Sequence, residues 1–369
     1  MRVIYDSQIF IRESKGGISR QHAELYRRLP SLNLGIAAVM PPFFGENVYA
    51  RDFGLPQHGL IANRMFRGKK RLETQFSRLG SSSYLFFRVG DVFHPTYYDP
   101  YFLRMLGRTP LVVTVHDMIH ELFAGSYFRF DKITSKWKQL LVDRATRLIA
   151  VSETTRRDLV RIFGVLPSKI EVVYPGNCMR GIRAAPKRTE NPQKYLLFVG
   201  NRRGYKNFET FAEAVYPVLL RYKDLKIVCV GGGPFTVGEA ERLRRKGVYE
   251  RFLWNSPTDE ELRTWYENAI ALVFPSRYEG FGLPVIEAFE SGCPAALSDI
   301  PAFREIAGDA AEYFEPMSPE DMRRAMERVI DSSTIRRRLI RAGTLRAKDF
   351  SWESCARGAA LVYERALGG

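Results

Sequence analysis

The chain has 369 residues, 45% of them apolar and 26% charged, with a formal net charge of +15 and a mean hydropathy of −0.23. That length exceeds what one hydrophobic core usually holds, so two domains are expected, and no apolar run reaches the roughly 18 residues of a membrane span. The charge is lopsided: residues 1–185 carry 28 Lys and Arg against 15 Asp and Glu, the remainder 28 against 26, which suggests that the first half faces a polyanion such as nucleic acid, an anionic membrane or a phosphorylated substrate.

The first residues, MRVIYDSQIF, lack the basic–apolar–small order of a signal peptide and read as a strand over 2–6. Gly16 and Gly17, in 16-GGISRQ-21, lie between that strand and a helix expected over 20–29. A strand follows over 34–39. In 64-RMFRGKKRLETQFSRLG-80 basic residues are interleaved with Met65, Phe66, Leu72 and Phe76. This is the composition of an amphipathic segment that lies on anionic lipid, or of a merely solvated helix. Strands are expected at 91–96, 111–117, 148–152 and 170–176, with His94 and His116 near strand ends. A helix over 154–163 takes Ser152 as its N-cap. His116 and His120 are four apart, but residue 124 is Ala where HExxH needs His, so no zinc site is expected. The polar, basic, proline-bearing segment 178–193 reads as a linker.

Beyond it, strands at 195–200, 226–231, 251–254 and 270–276 alternate with helices at 208–222, 239–246, 259–268 and 284–291. A helical pattern closes the chain at 352–367. Strand–helix alternation with glycine at strand ends predicts an α/β fold, a parallel sheet wrapped by helices that binds ligands at the carboxyl ends of its strands. The first half repeats the plan. The four cysteines (Cys178, Cys229, Cys293, Cys355) have no metal spacing and read as buried thiols of a reducing cytosol.

Two loops of the second half carry chemistry. In 276-SRYEGFGLPVIEAFESGCP-294, Gly280 and Gly282 form a turn, Pro284 fits the first turn of a helix and Gly292 its stop. Free N–H groups at a helix start attract an anion, and glycine lets a phosphate approach the backbone. Glu279 and Glu287 repel that phosphate. Carboxylates instead accept hydrogen bonds from vicinal hydroxyls, so the stretch reads as a diphosphate cradle between two sugar-diol acceptors: a nucleotide-sugar site. The loop 199-VGNRRGYKNFET-210 supplies Arg202, Arg203 and Lys206 as cations for the diphosphate and for the charge it gains on leaving. No D-x-D occurs, so no metal and no cofactor are expected; the nucleotide sugar is a substrate.

With these features the chain resembles the retaining GT-B-fold glycosyltransferases of glycosyltransferase family 4, among them bacterial surface-polysaccharide mannosyltransferases. The likeness rests on the E-x7-E pair Glu279 and Glu287 around FGLP, with 199-VG…KN-207, 231-GGGP-234, 259-DEEL-262, 305-EIAGDAA-311 and 351-SW-352. It implies two Rossmann-like, doubly wound parallel-sheet domains facing across a cleft. The acceptor domain would span 1–180 and the nucleotide-sugar domain 190–350, with the helix 352–369 crossing back to the first. It implies that Glu279 touches the donor-sugar hydroxyls and Glu287 the ribose. Backbone groups of Gly280, Phe281, Gly282 and Leu283 would hold sugar and distal phosphate, and Lys206 with Arg202 or Arg203 would grip the diphosphate. Gly16 and Gly17 would form an N-terminal glycine loop near phosphate and acceptor, and His116 would stand at the reaction centre.

The implied reaction is a metal-independent same-face displacement. It moves a hexose, with GDP-mannose favoured, to a glycan or lipid-linked saccharide in surface-polysaccharide synthesis, in the cytoplasm or peripherally at the inner face of the plasma membrane. The alternatives are a sugar-nucleotide epimerase or phosphorylase on the same fold, or a basic nucleic-acid- or lipid-binding protein. No RNA-module motif supports the last, and 16-GGISRQ is not the G-x-G-x-x-G of an NAD enzyme.

Overall fold

Tyr195–Val199 (YLLFV) and Ala271–Phe274 (ALVF) are buried at every residue. Runs apolar on both faces belong to parallel sheets covered by helices. The computed structural model describes residues 1–59, 68–128, 131–187, 189 and 191–368. It has such sheets in two units, Met1–Gly176 with Ser351–Gly369, and Asn177–Phe350.

The first unit runs β1 (Arg2–Tyr5), α1 (Gln8–Arg12), α2 (Gly17–Arg28), β2 (Ala37–Val39), β3 (Phe43–Phe44), α3 (Val48–Asp52), β4 (Gln57–His58), α4 (Lys69–Phe86), β5 (Val92–His94), β6 (Val112–Val115), α5 (Ile119–Leu122), α6 (Lys132–Arg144), β7 (Arg147–Ala150), α7 (Glu153–Phe163) and β8 (Ile170–Val172). Two parallel ladders, β2-β1-β5 and β6-β7-β8, are joined by a parallel bridge between Phe93 and Leu111. The strand order therefore reverses between β1 and β5. The Ser152 hydroxyl accepts the Thr155 N–H, and α7 stops on Gly164 at φ +66°. Within the segment 64–80, residues 64–67 lie outside the described residues and 69–80 belong to α4. No helix of the described residues is long and apolar enough to cross a membrane.

The second unit runs β9 (Tyr195–Val199), α8 (Phe208–Arg221), β10 (Lys226–Val230), α9 (Val237–Arg245), β11 (Phe252–Asn255), α10 (Asp259–Asn268), β12 (Ala271–Phe274), α11 (Leu283–Glu290), β13 (Ala295–Ser298), α12 (Pro301–Ala307), β14 (Glu312–Phe314), α13 (Pro319–Asp331) and α14 (Ser333–Arg346). All ladders are parallel, in the order β11-β10-β9-β12-β13-β14. This is the doubly wound order, reversing between β9 and β12. Capping boxes open α9 (Thr236 with Glu239) and α10 (Thr258 with Glu261). Phe198, Phe211, Ile227, Val273, Met322 and Met326 share its core. The sequence does not signal β13 and β14: AALS and EYF are too short and too poor in β-branched residues.

The segment 178–193, read as a linker, is largely tied to the second unit in its described part. Cys178 and Met179 are buried, Arg263 Nη1 donates to the Met179 carbonyl, and the Ala185 N–H donates to Glu260 O. The last helix, α15 (Trp352–Gly368), belongs to the first unit. Tyr363 on it lies 2.6 Å from the Tyr5 hydroxyl and 2.8 Å from His94 Nδ1, and His94 Nε2 lies 2.8 Å from Thr114 Oγ1. A Cβ at Gly176 would collide with the Trp352 backbone and ring, so glycine there is what lets α15 close down. All four cysteines are buried and free.

Candidate active site

A parallel sheet opens a crevice beyond its strand ends where the strand order reverses. In the second unit that puts the loop after β9 beside the loop after β12, the two stretches that the sequence marks for chemistry. The Arg277 N–H donates to the Tyr205 carbonyl at 2.8 Å, joining them.

The loop after β9 is shaped by backbone constraints. Gly200 has φ +132° and Asn207 φ +61°. The Asn207 side chain donates to Pro316 O at 2.6 Å and accepts the Thr210 hydroxyl at 2.7 Å, which holds it in the left-handed region. A single 3-10 turn over Gly204–Lys206 then presents Lys206. Its Nζ donates to Glu279 Oε1 at 2.6 Å and sits 5.0 Å from the Phe274 ring centroid. The two side chains are 13% and 10% exposed. Two charges at that depth would each be costly alone; paired, they offset one another.

Arg202, expected on the diphosphate, has its donors taken up by protein acceptors. It is buried, and its Nε donates to Glu239 Oε1 at 3.1 Å. Its Nη atoms donate to the carbonyls of Gly231, Gly233 and Pro234, and its guanidinium stacks over Phe235 at 4.6 Å. Arg202 therefore ties the 231-GGGP-234 loop to the end of β9, with most of its donors in use. Arg203 beside it is exposed.

The start of α11 is built as the sequence suggests. Gly282 has φ +106°, and a Cβ there would come within 2.9 Å of Phe303 Cε1, so only glycine fits. The N–H groups of Gly282 and Leu283 donate to no protein acceptor among the described residues. Such amides at a helix start suit an anion. The Phe281 ring is turned inward, 5.5 Å from Phe350, so this residue offers only its backbone. Glu279, Gly280 and Glu287 are buried. Glu287 Oε2 accepts the Tyr266 hydroxyl at 3.0 Å. Burial, then the Glu287 charge, holds that hydroxyl well above its ordinary range, so it stays a donor. Neither Tyr266 nor Glu239 was visible in the sequence, because each is paired through a contact across many residues.

In the first unit, Gly16 caps α2 with extended backbone. A Cβ there would strike the Glu13 carboxylate, whose Oε1 accepts the Ser19 N–H at 3.0 Å. The Glu13 carboxylate thus stands at the start of α2. Gly17 is the exposed first residue of that helix. His116 follows the last residue of β6; its N–H donates to the Tyr98 hydroxyl at 3.1 Å. Its ring lies 5.7 Å from that of His22, which lies 5.2 Å from His94. Burial pulls all three imidazoles below their ordinary range, His116 to about 3, so His116 is neutral at working pH. No cluster of three or more His, Cys, Asp or Glu among the described residues is placed to hold a metal. Asp117 orients the loop after β6: its Oδ1 accepts the Ile119 N–H, and its carbonyl accepts the buried Lys138.

Residues 182–346 match the family described as glycosyl transferases group 1, and residues 15–177 match Glycosyltransferase Family 4. The chain belongs to this glycosyltransferase family. A curated relative, O-antigen chain mannosyltransferase B of Escherichia coli, is 26% identical over 292 residues, 74% of either chain. Sucrose-phosphate synthase from Thermosynechococcus elongatus matches the whole fold with a TM-score of 0.76 at 17% identity, covering 100% of this chain and 99% of that one. An Anabaena HepE structure in complex with UDP and glucose matches with a TM-score of 0.73 at 14% identity, over 98% of both chains. The fold of this glycosyltransferase is GT-B.

Proposed function

We propose that this glycosyltransferase moves a hexose from a nucleotide-diphosphate sugar, with retention at the anomeric carbon and without a metal, to a saccharide or lipid-linked saccharide. The observation that carries the reading is the Lys206–Glu279 pair set beside the unbonded amides of Gly282 and Leu283. A diphosphate seated on those amides takes Lys206 as its counter-ion, and Glu279 is released to accept sugar hydroxyls. Arg203 adds a second cation from the same loop, and Glu287, oriented by Tyr266, accepts the ribose diol. The UDP and glucose of the HepE complex support a nucleotide sugar. The Escherichia coli relative supports mannose and surface-polysaccharide synthesis, with GDP as the favoured carrier.

In the step itself the bond from sugar C1 to the diphosphate oxygen breaks. The acceptor oxygen bonds to C1 on the same face, and its proton passes to the departing diphosphate. Lys206 and Arg203 stabilise the charge that grows there. His116, held neutral, offers a hydrogen bond without adding charge. At the cytoplasmic face of the membrane, the exposed apolar side of α4 with Arg71 would meet anionic lipid.

The test is transfer from a panel of nucleotide sugars. Lys206→Ala and Glu279→Ala should each lower turnover at least tenfold with an unchanged circular dichroism spectrum, and activity should persist in excess chelator. Near-wild-type turnover in either variant, or an absolute need for Mg²⁺, would overturn the corresponding assignment.

A further inference from the structure

The first unit has a switch point of its own, between β1 and β5, and a cavity lies there that the donor chemistry does not use. Its volume is about 330 Å³, near the lower end of the roughly 300–1,000 Å³ typical of small-molecule sites. It has room for one or two sugar rings rather than a long chain. The β1–α1 loop, the loop after β5, α4 and α6 enclose it.

The walls are held in place. The buried Asp6 carboxylate accepts the Thr96 N–H and hydroxyl, both at 2.8 Å, and the Gln8 amide at 2.6 Å. Gln8 in turn bonds the backbone of Asp99 through both its amide atoms. The two loops are thereby locked to each other before anything binds, the preorganisation a specific site needs.

Tyr97, Tyr101 and Trp137 give the lining an aromatic character, and Ser7 and Thr74 bring hydroxyls to it. The charges do not cancel. Asp99 is ion-paired with Arg78. Arg12, 4.6 Å above the Tyr97 ring, and Lys70 line the same cavity, and neither makes an ion pair with a carboxylate among the described residues. Aromatic faces take the C–H side of a pyranose, and two cations outside any ion pair take a phosphate. Tyr98 forms part of the wall, and its hydroxyl is the group that accepts the His116 N–H. The cavity therefore borders the strand end where His116 stands.

We propose that this cavity is the acceptor subsite and that its ligand is a phosphate-bearing sugar: the ring against Tyr97 and Trp137, the phosphate between Arg12 and Lys70. The proposal rests on the transferase reading, which names an acceptor.

The full chain should be titrated by calorimetry with the 1-phosphates of mannose, glucose, galactose and N-acetylglucosamine. The matching methyl glycosides, inorganic phosphate and a short-chain polyprenyl-diphosphate sugar complete the panel. At least one sugar phosphate should bind at least tenfold more tightly than its methyl glycoside and than inorganic phosphate. The double variant Arg12→Ala, Lys70→Ala should weaken it at least tenfold, and Trp137→Ala at least fivefold. Both cations are exposed, so an unchanged melting temperature and unchanged GDP or UDP binding should confirm that these variants are folded. Tighter binding of the polyprenyl form assigns a lipid-linked acceptor, and equal binding a free sugar phosphate. Absence of saturable binding by every phosphorylated sugar, equal binding of a methyl glycoside, or full affinity in the double variant would overturn the proposal. Loss of nucleotide binding by wild type would instead remove the transferase reading.

Discussion

Arg202 and Arg203 are neighbours with different work. Removing the Arg202 side chain leaves Glu239 buried without its partner and frees the Gly231–Pro234 loop. Arg202→Ala should therefore cost about 3–5 kcal/mol, read as a clear fall in the denaturation midpoint. Arg203→Ala should leave the midpoint unchanged and weaken nucleotide-diphosphate binding at least fivefold. A stable Arg202→Ala protein would contradict the structural role. The histidines His22, His94 and His116 give a second test at this scale. Their folded pKa values lie below the unfolded 6.5, so the unfolded chain binds more protons between those values. Their contribution to stability is full above pH 6.5 and is lost as pH falls toward the folded values, about 3 for His116. The urea midpoint should fall from pH 7 to pH 4, less steeply in His22→Phe. The ring nitrogens of His22 have no hydrogen-bond partner among the described residues to lose. A flat profile would refute the assignment.

Glu279, Glu287 and Lys206 could be singled out from the sequence because the E-x7-E spacing and cations after a strand end are short-range signals. The work of Arg202 was not legible: its acceptors lie 29 to 37 residues further on, and only the folded sheet brings them to it.

At the scale of the element, α4 stands out. Leu72, Phe76, Leu79 and Phe86 fall four, three and seven residues apart, on one helical face. They are 45%, 50%, 67% and 70% exposed, and Phe87 just beyond is 74% exposed. An exposed apolar stripe on a basic helix is a feature to test against an anionic bilayer. Leu79→Ser with Phe86→Ser should lower co-sedimentation with phosphatidylglycerol vesicles at least fivefold without shifting the melting temperature. Undiminished sedimentation would leave α4 as a solvated helix. The sequence showed the basic and apolar composition of this stretch. Which of its apolar residues face inward, such as Leu85, and which outward depends on what packs beneath. Helix limits elsewhere were closer to hand, because caps such as Ser152 and stops such as Gly164 and Gly292 act within a few residues.

For the whole molecule, the telling feature is α15, which joins the first unit although the second precedes it in the chain. Tyr363 supplies the hydroxyl between Tyr5 and His94, and Trp352 fills the space left by Gly176. A chain ending at residue 350 should lose the cooperative melting of the first unit while nucleotide binding by the second is retained. Loss of neither would show that α15 is dispensable.

The sequence by itself determined the α/β class, most strands of both halves, several of the helices, and the glycine turn between Glu279 and Glu287. Each of these depends on periodicity, capping or backbone freedom, which act over a few residues. The tertiary structure decided the strand order and therefore which loops meet. It paired Lys206 with Glu279, buried Arg202 and left Arg203 exposed. It also joined the β1 and β5 loops into a cavity with two unpaired cations. Those outcomes depend on which distant acceptor reaches each donor and which charge loses its water, and short-range pattern carries neither.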